Sequence, residues 1–229
     1  MATADVITSA NQSDIAHGGH YTTTGLDNRK IAIWAFIGSE CMLFASLIST
    51  YLIYKGRSLV GPYPHEAWTN PQTGQKFGAI LNIPVTSAST FVLLMSSLAM
   101  VLAHNAVVNK RVPKRTWGER VVGSSKLWLF MTALLGATFL GFQSYEFTSF
   151  VHEGLTIRTN LFGSSFFTLT GFHGAHVTAG VLWLLSLLAI DVKRDLQPED
   201  ALNVDLAALY WHFVDVVWIA IFTLVYLIK

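Results

Sequence analysis

The chain has 229 residues, of which 52% are hydrophobic and 13% charged, with a mean hydropathy of +0.46. A soluble domain carries roughly 25% charged residues, so this composition is that of an integral membrane protein. A net charge of +1 without long Lys/Arg runs gives no basis for a nucleic-acid partner, and one cysteine, Cys41, excludes an internal disulfide framework and a multi-thiolate metal site.

Residues 1–28 are polar, rich in Ser, Thr, Asn, Gly and His, and lack the apolar core of a secretory signal. They are expected to form a cytoplasmic extension. Apolar stretches follow at about 31–54, 82–108, 126–151, 161–190 and 204–228. Each is long enough for the roughly 20 residues that cross about 30 Å of hydrocarbon. All are apolar around their circumference, and a barrel would need many short alternating segments, so five transmembrane helices are predicted. The expected fold class is all-α, one integral membrane bundle over residues 29–229. The outer connection 55–81 carries Gly61-Pro62, Asn70-Pro71 and Thr73-Gly74, which are turn-forming pairs.

With the N-terminus inside, the inner segments hold ten of the fifteen basic residues: Arg29, Lys30, Lys110, Arg111, Lys114, Arg115, Arg120, Lys126, Lys193 and Arg194. The outer segments hold Lys55, Arg57, Lys76, Arg158 and Lys229. That ratio predicts N-terminus inside and C-terminus outside.

The ionisable residues within the spans are the candidates for function, because a charge at the bilayer centre costs about 3 kcal/mol even on the cheapest insertion scale. Glu40 lies about ten residues into the first span, roughly 15 Å deep at 1.5 Å per residue. It reads either as a neutral acid hydrogen-bonded to a neighbouring helix or as a site that exchanges protons or binds a lipid group. The adjacent Cys41 is expected to be a small core residue. His104 is expected to snorkel at the inner end of the second span, and Glu146 to join a hydrated interfacial cluster at the outer end of the third.

In the fourth span Thr170, Gly174 and Thr178 repeat every four residues, as do Ala175 and Ala179. Small residues at that spacing let membrane helices approach closely, which would hold His173 and His176 at a tight contact. In the fifth, His212 and Asp215 share one helical face, where they can meet each other or one neighbouring helix. A structural zinc needs about four protein ligands and a catalytic one about three, which this set does not supply. Bis-histidine haem ligation by His212 with His173 or His176 is a rival reading, against which the first three spans offer no central histidine. A small proton-coupled transporter using Glu40 and Asp215 is another, disfavoured by the absence of inverted repeats. No nucleophile triad, phosphate loop or paired catalytic carboxylates stands out.

The run Tyr210-Trp211-His212-Phe213-Val214-Asp215-Val216-Val217-Trp218 resembles the carboxy-terminal helix of subunit III of the haem-copper oxidases. Ser39-Glu40-Cys41-Met42-Leu43-Phe44, Leu81-Asn82, Gln143-Ser144-Tyr145-Glu146-Phe147 and the stretch from Gly163-Ser164-Ser165-Phe166-Phe167 to Thr170-Gly171-Phe172-His173-Gly174-Ala175-His176-Val177 agree in the same order. The resemblance covers about residues 29 to 228 and matches the five-helix bacterial form of a family that often has seven.

The resemblance implies a non-catalytic subunit of a bacterial cytochrome c oxidase in the plasma membrane, in aerobic respiration. It implies that haem and copper belong to partner subunits I and II, with further small or cytochrome subunits possible, and that this subunit supports assembly, stability and proton uptake. Glu40 would match the family's intramembrane carboxylate that a hydrophobic carbodiimide modifies. Glu146, His173, His176, His212 and Asp215 would match positions that stabilise helix contacts and bound phospholipid, none of them a redox or metal ligand. Lipid or helices of another subunit would cover the surface left by the two missing helices. The alternatives within the resemblance are subunit III of a quinol oxidase and a subunit III-like protein associated with nitric oxide reductases.

Overall fold

The computed structural model describes residues 27–69, 74, 76–113 and 116–228, so most of the polar extension predicted over 1–28 lies outside the described residues. Helix α1 spans Asn28–Tyr54, α2 Ile83–Val108, α3 Trp117–Val122, α4 Ser125–His152, α5 Leu161–Arg194 and α6 Ala201–Phe222. A 3-10 turn, Pro198–Asp200, precedes α6, and a π-helical turn, Thr223–Leu227, extends it. In the loop between α1 and α2, the two-residue strands β1 (Trp68–Thr69) and β2 (Lys76–Phe77) pair antiparallel. Among the described residues five helices are long and apolar enough to cross a membrane: α1, α2, α4, α5, and α6 with its flanking turns.

Side chains that satisfy the first free amides set where these helices begin. The Asp27 carboxylate accepts from Arg29 N–H at 2.8 Å, Asn82 from Val85, Ser124 from Leu127, and Asn160 from Gly163 at 2.7 Å. The short α3 carries a reciprocal capping box between Thr116 and Glu119.

In hydrocarbon, close packing and hydrogen bonds between helices hold a bundle together, because lipid tails are as apolar as Leu. The core is therefore built around α6, which packs against α1, α2 and α5, while α4 packs against α2 and α5. Some 56% of the apolar window of the last span is buried, against 11% for α1, which places α6 centrally and α1 at the rim. Trp211 is fully buried, and its indole N–H donates to Ser96 Oγ on α2 at 2.9 Å. Its ring fills the space left by two glycines: a Cβ at Gly136 of α4 or Gly180 of α5 would stand 2.5 or 2.8 Å from it. One turn-pair further, Trp218 donates to Thr90 Oγ1 at 2.9 Å.

The ends of the bundle are fastened by charge. At one end the buried Asp191 accepts from Ser125 Oγ at 2.6 Å and from Leu196 N–H at 2.9 Å. Lys110 lies 2.9 Å from Asp195 and 3.8 Å from Asp191, and Lys126 lies 3.2 Å from Asp195. Hydrogen bonds from these two lysines hold the Asp195 carboxyl below the usual carboxylate range. At that end too, Lys30 of α1 pairs with Asp205 of α6 at 2.7 Å. At the opposite end Lys55 donates to the terminal carbonyls of Ile228 at 2.6 Å and Leu224 at 3.4 Å.

Two expectations are corrected. Cys41 is exposed on the rim helix and is not a core residue. On α5 the small residues Ala175, Thr178 and Ala179 face outward. Of the predicted repeat, Thr170 is buried and Gly174 does make a close approach, against Gln143, and Gly180 adds another against Trp211.

Candidate functional site

The predicted residues are not gathered in one centre. All but His173 and His104 fall into separate polar contacts, each bridging different helices.

The first joins α1 to α5. Glu40 Oε2 lies 3.0 Å from His176 Nε2, and His176 Nδ1 lies 2.7 Å from the carbonyl oxygen of Phe172, one turn earlier. A carbonyl only accepts, so Nδ1 carries a hydrogen. The second contact then needs one more proton, held either on Glu40 beside a neutral imidazole or on Nε2 beside a carboxylate. Both forms leave the pair without net charge, which is the condition for lodging it in hydrocarbon. Tyr210 of α6 donates to the His176 carbonyl at 2.9 Å, and Phe44 packs edge-on to the imidazole with centroids 5.0 Å apart. Both Glu40 and His176 keep part of their surface exposed.

The second contact joins α2 to α6. His212 Nδ1 is 2.6 Å from Ser97 Oγ. The buried Asp215 carboxyl stands beside the same hydroxyl, yet neither oxygen completes a hydrogen bond in good geometry. Of the two arrangements the three-residue spacing allowed, the structure gives the one in which both residues turn to a neighbouring helix.

A third contact lies at the end of the bundle that carries the α1–α2 loop. The Thr86 hydroxyl of α2 donates to Glu146 of α4, and Tyr226 of the π-helical turn stands beside both. Glu146 is only 5% exposed, so its expected place in a hydrated interfacial cluster is corrected. It lies on the face of α4 that meets Thr86 of α2, whereas the adjacent Tyr145 is 67% exposed. Glu146 lies at the wall of a cavity of about 340 Å³ that Ile80, Pro84, Ser149 and Glu153 also line. Burial at this mouth pushes the Glu153 carboxyl up.

His173 makes no polar contact. It is fully buried with both ring nitrogens unpaired, its face stacked on Trp218 at 4.9 Å and its edges against Phe139 and Phe44. His104 is half-buried near the end of α2. Among the described residues no three His, Cys, Asp or Glu side chains come together in a group that could hold a metal ion.

Ser97, Thr86 and Tyr226 were missed by the sequence reading. A signal for the first two exists: Thr86, Thr90, Ser96 and Ser97 recur at helical spacing along α2 and meet side chains of α4 and α6. Taken together, the contacts fasten helices to one another.

The family model described as cytochrome c oxidase subunit III matches residues 4–229. The cytochrome c oxidase subunit 3 of Bacillus sp. (strain PS3) is 41% identical over 200 residues, which cover 87% of this chain and 86% of that protein. The protein of the same name from Bacillus subtilis (strain 168) is 39% identical over 201 residues, 87% of this chain and 86% of its own. The quinol oxidase subunit 3 of Bacillus subtilis (strain 168) is 36% identical over 197 residues, 86% and 85% of the two chains.

Proposed function

Since this chain belongs to the cytochrome c oxidase subunit III family, we propose that it is the non-catalytic subunit III of a bacterial aerobic terminal oxidase that takes electrons from cytochrome c. In this reading oxygen is reduced at haem and copper held by subunits I and II. The present chain stabilises the assembly and supports proton uptake by subunit I. The bundle sits in the plasma membrane, N-terminus inside, with phospholipid on its outer faces. The positive-inside count supports that orientation. So does the clustering of Lys30, Lys110 and Lys126 at one end of the bundle.

The Glu40–His176 contact carries the reading. It is a proton-sharing pair between the rim helix and α5, mostly buried, with a small part of each side chain exposed. Such a pair suits a supporting subunit that fastens helices and holds a proton, and it offers no route for electrons. Glu146, Asp215, His173 and His212 act in this account as polar or packing contacts between helices.

A second reading, subunit III of a quinol oxidase, is favoured by the 36% identity to the Bacillus subtilis protein of that name, close to the 41% of the cytochrome c oxidase relative. Isolating the intact complex in mild detergent and measuring oxygen consumption separates the two. Turnover with reduced cytochrome c and none with quinol is expected; the opposite result selects the quinol reading. A preparation in which this chain carries its own Soret band refutes both.

A further inference from the structure

The polar contacts described above differ in one respect. Glu40 and His176 satisfy each other, with both imidazole nitrogens engaged. His212 does not close its own set: Nδ1 meets Ser97, while Nε2 of this half-buried side chain has no hydrogen-bond partner among the described residues. Beside it Asp215 has two buried oxygens without a partner. His212 lies eleven residues past Ala201, roughly 17 Å along the helix, and Ser97 sits near the middle of α2. At that depth neither bulk water nor a lipid headgroup can complete the set, and an open polar group in hydrocarbon is costly.

The surroundings are those of a helix seat. Leu94, Leu98 and Val101, within one turn of Ser97, are exposed on α2, and Val216 and Ile219 are exposed on α6. Helix α6 packs on both α1 and α2, whereas α1 and α2 do not pack substantially on each other, so this strip of the central helix is left open between them. Elsewhere the outward faces of α1 and α5, typified by Met42 and Leu182, are apolar around a pair that is already satisfied.

Building on the assignment to an oxidase complex, we infer that the α2–α6 face around His212 is where a partner subunit docks. The occupant is a transmembrane helix bearing a hydroxyl or amide side chain at mid-membrane, which can serve either tautomer of His212 Nε2. The outward faces of α1 and α5 are left to lipid.

The test is carried out on the whole complex in its native membrane. A diazirine amino acid is placed at Val216 or Leu98, and in parallel at Met42 or Leu182, and activated by light. The first two positions should yield adducts with another oxidase subunit, and the second two only lipid adducts. Lipid adducts alone at Val216 and Leu98, in a complex that still contains the other subunits, overturn the inference and leave the subunit assignment standing. If no oxidase subunit co-purifies with the chain at all, the assignment itself fails. The hydrogen bond is tested separately with His212→Phe and His212→Gln. On a detergent wash the Phe variant should lose this subunit several-fold more readily than the natural chain, while Gln, which keeps an amide, retains it. Equal retention of the two variants overturns the role of His212.

Discussion

Glu40 on the rim helix and His176 on α5 share one proton across a 3.0 Å contact, because the Phe172 carbonyl already claims the other imidazole nitrogen. The least buried helix is thus tied to the bundle at mid-membrane by a pair that is neutral whichever partner holds the proton. Lys30–Asp205 and Lys55–Ile228 secure the same helix at its two ends.

Replacing Glu40 by Gln should keep the tie, since the amide donates to Nε2, and remove the acid. The complex is then expected to assemble normally while labelling of this chain by a hydrophobic carbodiimide disappears. Undiminished labelling would move the reactive acid elsewhere. Glu40→Leu breaks the contact as well and should lower the thermal midpoint of the subunit, by the equivalent of about 1–2 kcal/mol for an interhelical hydrogen bond in a membrane.

His173 is a polar ring in an apolar cage, with two nitrogens that nothing satisfies. Exchanging a buried unsatisfied group for an apolar one of the same shape is neutral or stabilising. His173→Phe is therefore expected to leave assembly intact and to hold or raise the thermal midpoint, by up to about 2 kcal/mol. A large loss of stability or of oxidase activity in that variant would mean that His173 has a polar role the cage conceals.

The five spans were legible because a membrane helix announces itself by length and hydropathy over some twenty residues. The observed helices match the predicted stretches to within a few residues at most ends. The exception is the C-terminal end of α5. Its apolar pattern stops at Ile190, yet the helix runs to Arg194, because Asp191 is buried and held by Ser125 and Leu196. Tertiary partners of this kind leave no local signature. For the same reason Glu40, His176 and His212 could be singled out as intramembrane polar residues, but not the pairing of Glu40 with His176 or of His212 with Ser97, which lie 136 and 115 positions apart. Glu146 was misplaced because a single residue's rotation about α4 separates exposed Tyr145 from buried Glu146, and an apolar pattern that runs all round the helix does not say which face turns inward.

The charged collar at the Lys110 end predicts a pH response. The folded state holds Asp195 ionised below its ordinary range, so its contribution is present above the unfolded value of about 3.9 and fades as pH falls through the lower folded value. The side chain is well exposed, so the effect is small and weakened by salt. Asp195→Asn, which tolerates the positive φ of 58°, should flatten the loss of thermal stability below about pH 4. Lys110→Met should act at neutral pH too, since it also withdraws the cation from buried Asp191, at a cost of about 1–3 kcal/mol. A Met variant as stable as the natural chain at pH 7 would show that Ser125 and Leu196 alone satisfy Asp191.

Trp211 offers the sharpest test of how the bundle is held. Its ring occupies the clefts opened by Gly136 and Gly180, so it sets the distance of α6 from α4 and α5 together. Trp211→Ala leaves a cavity in a core whose helices have little else to pull them together, and should cost about 3–5 kcal/mol. Gly180→Ala fails by the opposite route: its Cβ would sit 2.8 Å from the indole, forcing α5 outward at a cost of about 1–3 kcal/mol. Because the two changes act on one contact, the double variant should be less damaged than the sum of the singles, the extra methyl entering the space the indole vacates. Thermal unfolding of the four proteins in detergent measures this coupling directly. Strict additivity would mean that α6 is positioned by other contacts, the Trp218–Thr90 bond foremost among them.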